Sequence, residues 1–154
     1  MQEIKHYDIF TLPNSNTNEN IVCVTTNGII RKDGTAVMGA GIAKTANQRF
    51  NLATKLAEHL KKNGNTVCDL GEYTFKTSRF HIVSFPTKQD WKDKSPLWLI
   101  ERSAKQLIDI VNAHNYKHVF LTPPGCGLGG LDYETEVKPV LESIFDDRFT
   151  IVLR

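Results

Sequence analysis

The stretch Ile21-Val22-Cys23-Val24-Thr25 decides the predicted fold class. Four consecutive apolar side chains and a high share of β-branched residues favour a β-strand. A strand that lacks apolar–polar alternation is typical of a sheet that other elements cover on both faces. We therefore predict that residues 21–25 form a central, buried strand.

Segments with strand and helix patterns alternate along the rest of the chain, which predicts an α/β fold. We expect one domain over residues 1–154, a three-layer α/β/α sandwich with a mixed central sheet of about six or seven strands. Ser95 and Pro96 are expected to be the N-cap and first residue of a helix. The predicted strands are residues 7–12, 21–25, 66–70, 72–76, 80–85, 118–122 and 149–153. The predicted helices cover residues 42–62 with a break near Asn51, residues 96 to 115, and residues 132 to 145, the last with Asp132 as its cap. Residues 13–20 are predicted to form a polar loop.

Two glycine-rich turns carry the functional prediction. The first, VMGAGIA at residues 37–43, opens a predicted helix, and the second, PGCGLGG at residues 124–130, stands between a strand and a helix. Glycine permits positive φ and close approach to a ligand, and a helix start adds unpaired N–H donors, so each turn can bind an anion. Both turns fall at the carboxyl ends of predicted strands, where ligands bind in such sheets. Together they predict a ligand with two adjacent phosphates.

Two common nucleotide-binding motifs do not account for these turns. Gly125, Gly127 and Gly130 formally match G-x-G-x-x-G, but only one further strand remains before the end of the sequence, so the required βαβ unit is incomplete. The sequence also lacks a G-x-x-x-x-G-K-[ST] segment for a nucleoside triphosphate. A hydride-transferring nicotinamide enzyme and a P-loop enzyme are therefore disfavoured.

Composition and charge restrict the partners. The net charge of +2, from 19 basic and 17 acidic side chains, gives no large field for generic nucleic-acid binding. Residues 88–94, where three lysines surround Trp91 and two aspartates interrupt them, are either a solvated surface or a segment that contacts a phosphate backbone and stacks on a base.

The expected location is the cytoplasm, with no membrane association. The longest apolar runs fall far short of the roughly 20 residues that span a bilayer, and the N-terminus does not resemble a secretory signal. Cys23, Cys68 and Cys126 are expected to be reduced thiols, and no histidine spacing indicates a metal site. Cys126 lies inside the second turn, where it either packs or acts as a nucleophile.

Five ordered motifs extend over almost the whole chain: YDIF at residues 7–10, VTTNG at 24–28, VMGAGIA at 37–43, FPTKxxW at 85–91 and PPGCGLGGLDY at 123–133. This set resembles the macrodomain family of ADP-ribose binders. The closest resemblance is to the branch that contains the DarG antitoxins, which remove ADP-ribose from thymidine in DNA, and the terminal ADP-ribose protein glycohydrolase. It implies ADP-ribose or an ADP-ribosylated macromolecule as ligand, DNA as a candidate substrate, a toxin as a candidate partner, and no cofactor.

The resemblance also assigns roles to residues. Asp8 matches the acid that accepts a hydrogen bond from the adenine amino group, Asn27 the asparagine that contacts the distal ribose, and Lys88 the lysine that acts on the anomeric carbon of that ribose. A neutral amine activated by desolvation or a neighbouring cation such as Lys92 can attack such a carbon. The expected ligand-binding set is Asp8, Ile9, Asn27, the first diphosphate loop Gly39, Ala40, Gly41 and Ile42, and the second loop Gly125, Cys126, Gly127, Leu128 and Gly129.

One position departs from the pattern of the terminal glycohydrolase. Gly129 stands where that enzyme has a catalytic aspartate, so the proton acceptor is undefined, whereas DarG-like members are similar to this chain in having glycine there. Asp132 either orients a water or ribose hydroxyl or simply caps the following helix. We expect an enzyme that removes ADP-ribose from DNA or protein, with Lys88 central. Hydrolysis of ADP-ribose-1''-phosphate and ADP-ribose binding without catalysis remain as alternatives.

Overall fold

A sheet with helices on both faces forms the framework of the protein. The structure is a computed structural model that describes residues 1–17 and 19–154. Within these residues the sheet has six strands in the order β1-β6-β5-β2-β4-β3. The strands are β1 Gln2–Lys5, β2 Asn20–Thr26, β3 Cys68–Phe75, β4 Ser78–Pro86, β5 His118–Leu121 and β6 Phe149–Leu153.

The predicted central strand is confirmed as β2, which pairs in parallel with β4 on one side and β5 on the other. Its side chains alternate between two core clusters. Val22 and Val24 pack into one cluster, and Ile21 and Cys23 pack into the other, all with no exposed surface. An unbroken apolar run is therefore required here, because both faces of the strand are buried.

Helices form the two outer layers. The two helices within residues 41–63 pack over the cluster that contains Val22, and the two within residues 97–144 pack over the cluster that contains Ile21. This arrangement confirms the predicted α/β/α sandwich. The helices are α1 Gly41–Phe50, α2 Ala53–Asn63, α3 Leu97–His114 and α4 Lys138–Ile144, with a π-helical turn at Tyr133–Val137 directly before α4.

The strand directions bring the carboxyl ends of most strands to one edge of the sheet. All strands run parallel to one another except β3, which is antiparallel to β4. The carboxyl ends of five strands therefore meet at one edge. The residues that follow them are His6 after β1, Asn27 after β2, Thr87 after β4, Thr122 after β5 and Arg154 after β6.

The prediction of a strand at residues 7–12 is wrong. Residues Ile9–Thr11 form a short 3₁₀ turn that Asp8 caps by accepting a hydrogen bond from the Phe10 N–H at 3.1 Å. The first strand lies earlier, at Gln2–Lys5, on the edge of the sheet with its side chains exposed. Its polar composition hid it from a search for apolar runs.

Two other boundaries are corrected. The predicted strands 66–70 and 72–76 are one strand, β3, in which the pairing register shifts between Asp69 and Glu72. Gly71 lies there at a φ of +108° and allows the irregularity. Pro96 occupies the N-cap position of α3 rather than its first helical residue, and no side chain caps that helix. The Ser95 hydroxyl therefore does not cap it.

The remaining boundaries lie within two residues of the predicted ones. Asn51 adopts a left-handed φ of +57° between α1 and α2, and Asn47 supports this break by accepting hydrogen bonds from the N–H groups of Leu52 and Ala53. The final strand has the predicted bounds, Phe149–Leu153. Residue 18 of the predicted loop at 13–20 lies outside the described residues.

Candidate functional site

A cleft of about 1020 Å³ opens at the carboxyl edge of the parallel strands. Its size lies at the upper end of the range for small-molecule sites. The cleft brings together residues from the loops after β1, β2, β4, β5 and β6. Every ligand-binding or catalytic residue predicted from the sequence lines its wall, with the exception of Cys126.

The charged side chains of the wall are unbalanced. Arg31, Arg49, Lys88 and Arg154 line the cleft together with a single acid, Asp8. This gives the cleft a net charge of +3 where the whole chain carries +2. The positive charge of the protein is thus concentrated at this site, which favours an anionic ligand.

The first glycine turn is open towards the cleft. Gly41 begins α1 at a φ of +56°, and no atom lies within 4 Å of the position that a Cβ would take there. Ala40 is the N-cap and supplies no side-chain hydrogen bond to the first turn of the helix. The N–H groups at this end therefore remain available to a ligand on the open side of the turn.

The second glycine turn is packed against α3. The Ser95 N–H donates to the carbonyl oxygen of Gly129 at 2.9 Å, and the Leu131 N–H donates to that of Gly125 at 3.0 Å. A Cβ on Gly125 would lie 2.6 Å from the Ile100 side chain, and a Cβ on Gly129 would overlap the Ser95 hydroxyl and the Gly125 carbonyl oxygen. A side chain at position 129 would therefore not fit this conformation of the turn.

Lys88 connects the loop after β4 to the second glycine turn. Its Nζ donates hydrogen bonds to the carbonyl oxygens of Trp91 at 3.2 Å and of Leu128 at 3.3 Å. The lysine side chain is thereby held at one end of the cleft wall. Lys92, the other cation considered from the sequence, does not line the cleft, and its ammonium lies 3.8 Å from the Asp90 carboxylate.

Asp8 lies at another part of the wall and is held by Arg49. The Arg49 guanidinium is 2.9 Å from one carboxylate oxygen of Asp8 and 3.1 Å from the other. The guanidinium itself stacks on Phe75, with Cζ 4.2 Å from the ring centre. Sequence reasoning missed Arg49, because nothing in the sequence of α1 indicates that this residue reaches Asp8.

Asn27 joins the end of β2 to the first glycine turn. Its amide nitrogen donates to the Val37 carbonyl oxygen at 3.1 Å, and its amide oxygen accepts from the Ile29 N–H at 3.0 Å. One amide hydrogen and one lone pair remain available for a ligand hydroxyl. Ile9, directly after Asp8, contributes a buried apolar side chain to the same wall.

Comparison with known proteins identifies the family of this fold and cleft. The model of the Macro domain family matches residues 30–139. This chain belongs to the macro domain family. The resemblance stated from the five sequence motifs is thereby confirmed.

Two curated relatives are similar in sequence over part of this macro domain. The chain is 34% identical over 115 residues, 71% of its length, to a DNA ADP-ribosyl glycohydrolase of Mycobacterium tuberculosis. It is 29% identical over 84 residues, 54% of its length, to a DNA ADP-ribosyl transferase-DNA ADP-ribosyl glycohydrolase fusion protein of Thermosipho africanus. The matched regions cover 32% and 20% of those proteins, so the chain spans about a third of the first and a fifth of the second.

Solved structures share the fold. The macrodomain of Mycobacterium tuberculosis DarG superposes with a TM-score of 0.72 at 27% identity, covering 99% of this chain and 97% of that one. Thermosipho africanus DarTG in complex with ADP-ribose gives a TM-score of 0.66 at 22% identity, covering 87% of this chain and 38% of that one. The second similarity is one of fold alone.

Cys126 is part of the second turn of this macro domain but does not line the cleft. Its thiol is half-buried, packs beside the core cluster under α3 and donates to the Pro124 carbonyl oxygen at 3.4 Å. Burial, together with the negative charges of Asp132 and Glu136, raises the pKa of the thiol to about 11. The thiol is therefore protonated at neutral pH, which favours packing over nucleophilic attack.

Asp132 has a structural position. Its carboxylate caps the π-helical turn by accepting hydrogen bonds from the N–H of Thr135 at 2.9 Å and from the hydroxyl of the same residue at 2.6 Å. These bonds hold the pKa of the carboxyl below its usual value. Asp132 does not line the cleft, so the capping interpretation is favoured.

Three apolar side chains on the cleft wall are exposed. Tyr7, Trp91 and Leu128 line the cleft, and they are three of the five large hydrophobic side chains exposed in the part of the chain that the structure describes.

Among the described residues, no group of three His, Cys, Asp or Glu side chains is arranged to hold a metal ion. No described helix has the length and apolar character needed to cross a bilayer.

Proposed function

We propose that this macro domain binds ADP-ribose in the cleft and hydrolyses the bond that joins ADP-ribose to a macromolecule, with DNA as the carrier. The observation that supports it most directly is the position of Lys88, whose Nζ is fixed between the Trp91 and Leu128 carbonyl oxygens at 3.2 and 3.3 Å on the cleft wall. The activities for which the two curated relatives are named support the reaction and the carrier.

The wall offers a complementary group to each part of the ligand. The open first turn and the second turn supply N–H groups for the pyrophosphate, whose negative charge is opposite to the net +3 of the cleft. Asp8 is an acceptor for the adenine amino group, held in place by Arg49. The distal ribose then extends to Asn27 and Lys88.

The two hydrogen bonds of Lys88 fix the orientation of its amine as well as its position. In a neutral amine both N–H groups are donated to the two carbonyl oxygens, so the lone pair occupies the one remaining tetrahedral position. An amine held in this way loses less orientational freedom when it reacts with a sugar carbon. The second turn, through Leu128, thus takes part in aligning the nucleophile.

The proposed reaction has two balanced steps. The Lys88 amine forms a bond to the anomeric carbon of the distal ribose while the bond from that carbon to the carrier atom breaks, and the carrier leaves with the electron pair and takes up the proton that the alkylated amine gives up. The ribose ring then opens to the imine of Lys88, the form that borohydride reduces. Water then replaces the amine at the same carbon, which releases ADP-ribose and regenerates neutral Lys88. The reaction consumes only water and requires no cofactor.

The test compares binding and turnover in the Lys88→Ala variant. Substrates are an oligonucleotide that carries ADP-ribose on thymidine and a protein modified on glutamate. We expect the wild type to release ADP-ribose from the oligonucleotide, and the variant to lose about a hundredfold or more of that rate while its Kd for free ADP-ribose stays within about threefold. Borohydride reduction followed by mass spectrometry should trap the sugar on Lys88.

Lys105 provides the matched control. It is an exposed lysine on α3 that pairs with Glu101 at 3.1 Å and lies outside the cleft, so Lys105→Ala should behave as wild type. An unaltered rate in Lys88→Ala would contradict the mechanism. Binding of ADP-ribose without release from either carrier would identify a reader, and phosphate release from ADP-ribose-1''-phosphate would identify a phosphatase.

The partners and location belong to the same proposal. The Thermosipho africanus relative joins a transferase to the glycohydrolase, which supports a DNA-modifying toxin as the partner of this protein. A cytoplasmic location is supported by Cys23, Cys68 and Cys126, which are free thiols. Coexpression with such a transferase, followed by measurement of DNA-bound ADP-ribose, tests the pairing.

A further inference from the structure

The two residues that hold Lys88 through their carbonyl groups also expose large apolar side chains. Trp91 is 53% exposed and Leu128 is 79% exposed, and both line the cleft. We call this pair the rim. Exposed apolar surface with a polar border is typical of binding sites.

Free ADP-ribose offers no suitable partner to the rim. Its one aromatic base is assigned to the Asp8 part of the wall, and the distal ribose near Lys88 is rich in hydroxyl groups. In the proposed reaction the carrier is joined to the anomeric carbon on which Lys88 acts. The rim, held to Nζ through two backbone carbonyls, is therefore placed to contact the carrier.

One cation lies beside the turn that carries Leu128, and another lies beside the first glycine turn. The Lys94 side chain lies along Gly130 of the second turn, with Cγ 3.6 Å from the position of a Cβ there. Arg31 lies beside the first turn, with a guanidinium nitrogen 3.7 Å from the corresponding position on Gly39. Of the two acids in residues 88–94, Asp90 lies 3.8 Å from the Lys92 ammonium, and Asp93 is exposed. Exposed aromatic rings on a cationic surface are the combination that proteins use for single-stranded nucleic acid.

We propose that the rim binds the nucleobase that carries the ADP-ribose, with Trp91 stacking on the base and Leu128 packing against it, an inference that rests on the proposed function. The cations then contact the flanking phosphates. A base stacked inside a duplex cannot reach Trp91, so the substrate is single-stranded DNA or a base turned out of the helix. This deepens the proposed function by assigning carrier recognition to specific side chains.

The test measures binding rather than turnover, in the Lys88→Ala background, so that the substrate is not consumed. The ligands are a single-stranded oligonucleotide that carries ADP-ribose on thymidine, a protein that carries ADP-ribose on glutamate, and free ADP-ribose. Adding Trp91→Ala should weaken binding of the modified oligonucleotide by roughly tenfold to a hundredfold. The Kd for free ADP-ribose should change by less than about threefold. Trp91→Phe, which keeps an aromatic face, should retain most of the affinity.

Trp98 is a closely matched control. It is also 53% exposed, but it lies on α3 outside the cleft, with the Arg102 guanidinium 5.3 Å from its ring centre. Trp98→Ala should leave both affinities unchanged. Melting temperatures of all variants check that each remains folded.

Two results would overturn the inference. Equal loss of affinity for the oligonucleotide and for free ADP-ribose would show that Trp91 binds the ligand itself. Equal loss for the oligonucleotide and for a glutamate-modified protein would show that the rim does not recognise a nucleobase. Failure of the proposed function is a separate result, since it appears as absence of release by the protein with Lys88 intact.

Discussion

The two glycine turns look alike in sequence but differ in what their glycines do. In the first turn, Gly41 combines a φ of +56° with open space, because a Cβ would meet no atom within 4 Å. In the second turn, a Cβ at Gly125 or Gly129 would collide with α3, with Ser95 or with the turn itself. The first turn needs glycine for backbone conformation and access, and the second needs it for packing.

This difference shows that one motif can combine glycines that tolerate substitution by alanine with glycines that do not. Gly127 lies in the middle of the second turn, yet nothing lies within 4 Å of a Cβ there and its φ is not positive. Spacing alone therefore does not reveal which glycines are required. The surroundings of each missing Cβ distinguish them, and the following predictions use that distinction.

The largest effect is expected from Gly129→Ala. The new methyl group would overlap the Ser95 hydroxyl and the Gly125 carbonyl oxygen, so the turn must shift away from Ser95 and change its own conformation. Overpacking of this kind lowers the free energy of unfolding by about 1–3 kcal/mol. Displacement of Leu128 also releases Lys88, so we expect turnover on modified DNA to fall by about a hundredfold. Denaturant unfolding and initial rates measure both effects.

Gly127→Ala is the control for that prediction, since its methyl group would enter open space. Its free energy of unfolding should stay within about 0.5 kcal/mol of wild type. Equal destabilisation by the two substitutions would contradict the description of the second turn as selectively packed. A stable Gly129→Ala protein with normal rates would contradict it more strongly.

An intermediate effect is expected from Gly41→Ala in the first turn. A left-handed φ costs an alanine about 1–2 kcal/mol, and the methyl group would project into space that the pyrophosphate is proposed to use. We expect the affinity for ADP-ribose, measured by calorimetry, to fall by about tenfold. This loss of affinity should be larger than that of a variant with the same decrease in the free energy of unfolding but no change at the cleft.

Gly34→Ala separates strain from ligand contact. Gly34 has a φ of +88° and lies outside the cleft, with a Cβ position 3.7 Å from the Lys61 ammonium nitrogen. It should show similar destabilisation with unchanged affinity for ADP-ribose. If Gly41→Ala also bound ADP-ribose normally, the open side of the first turn would not be a ligand surface.

The two turns also show what sequence can predict. Glycine spacing predicted their positions, and the apolar run at residues 21–25 predicted the central strand, because both signals depend on local chemistry. The edge strand Gln2–Lys5 was missed, since its exposed side chains leave no apolar pattern.

Most of the cationic wall could not be predicted either. Arg31, Arg49 and Arg154 come from three separate parts of the chain and meet only in the folded protein. The Arg49–Asp8 pair, 41 residues apart in sequence, is an example. Lys88 was predicted from its motif, but its hydrogen bond to the Leu128 carbonyl oxygen, 40 residues away, depends on how the second turn packs against α3.

The smallest effect is expected from Cys126→Ala, which tests whether the second turn acts through its backbone alone. Because burial and two nearby acids raise the pKa of this thiol to about 11, only a small fraction is thiolate at neutral pH, and alkylation by iodoacetamide should accelerate as pH rises towards 11. Turnover of Cys126→Ala should remain within about threefold of wild type, with a stability loss of about 1 kcal/mol from lost packing. Cys68→Ala is the control, since that thiol lies on β3 outside the cleft and its pKa is also raised to about 11. Loss of turnover in Cys126→Ala alone, with ADP-ribose affinity intact, would contradict this prediction. It would show that a side chain of the second turn takes part in the chemistry.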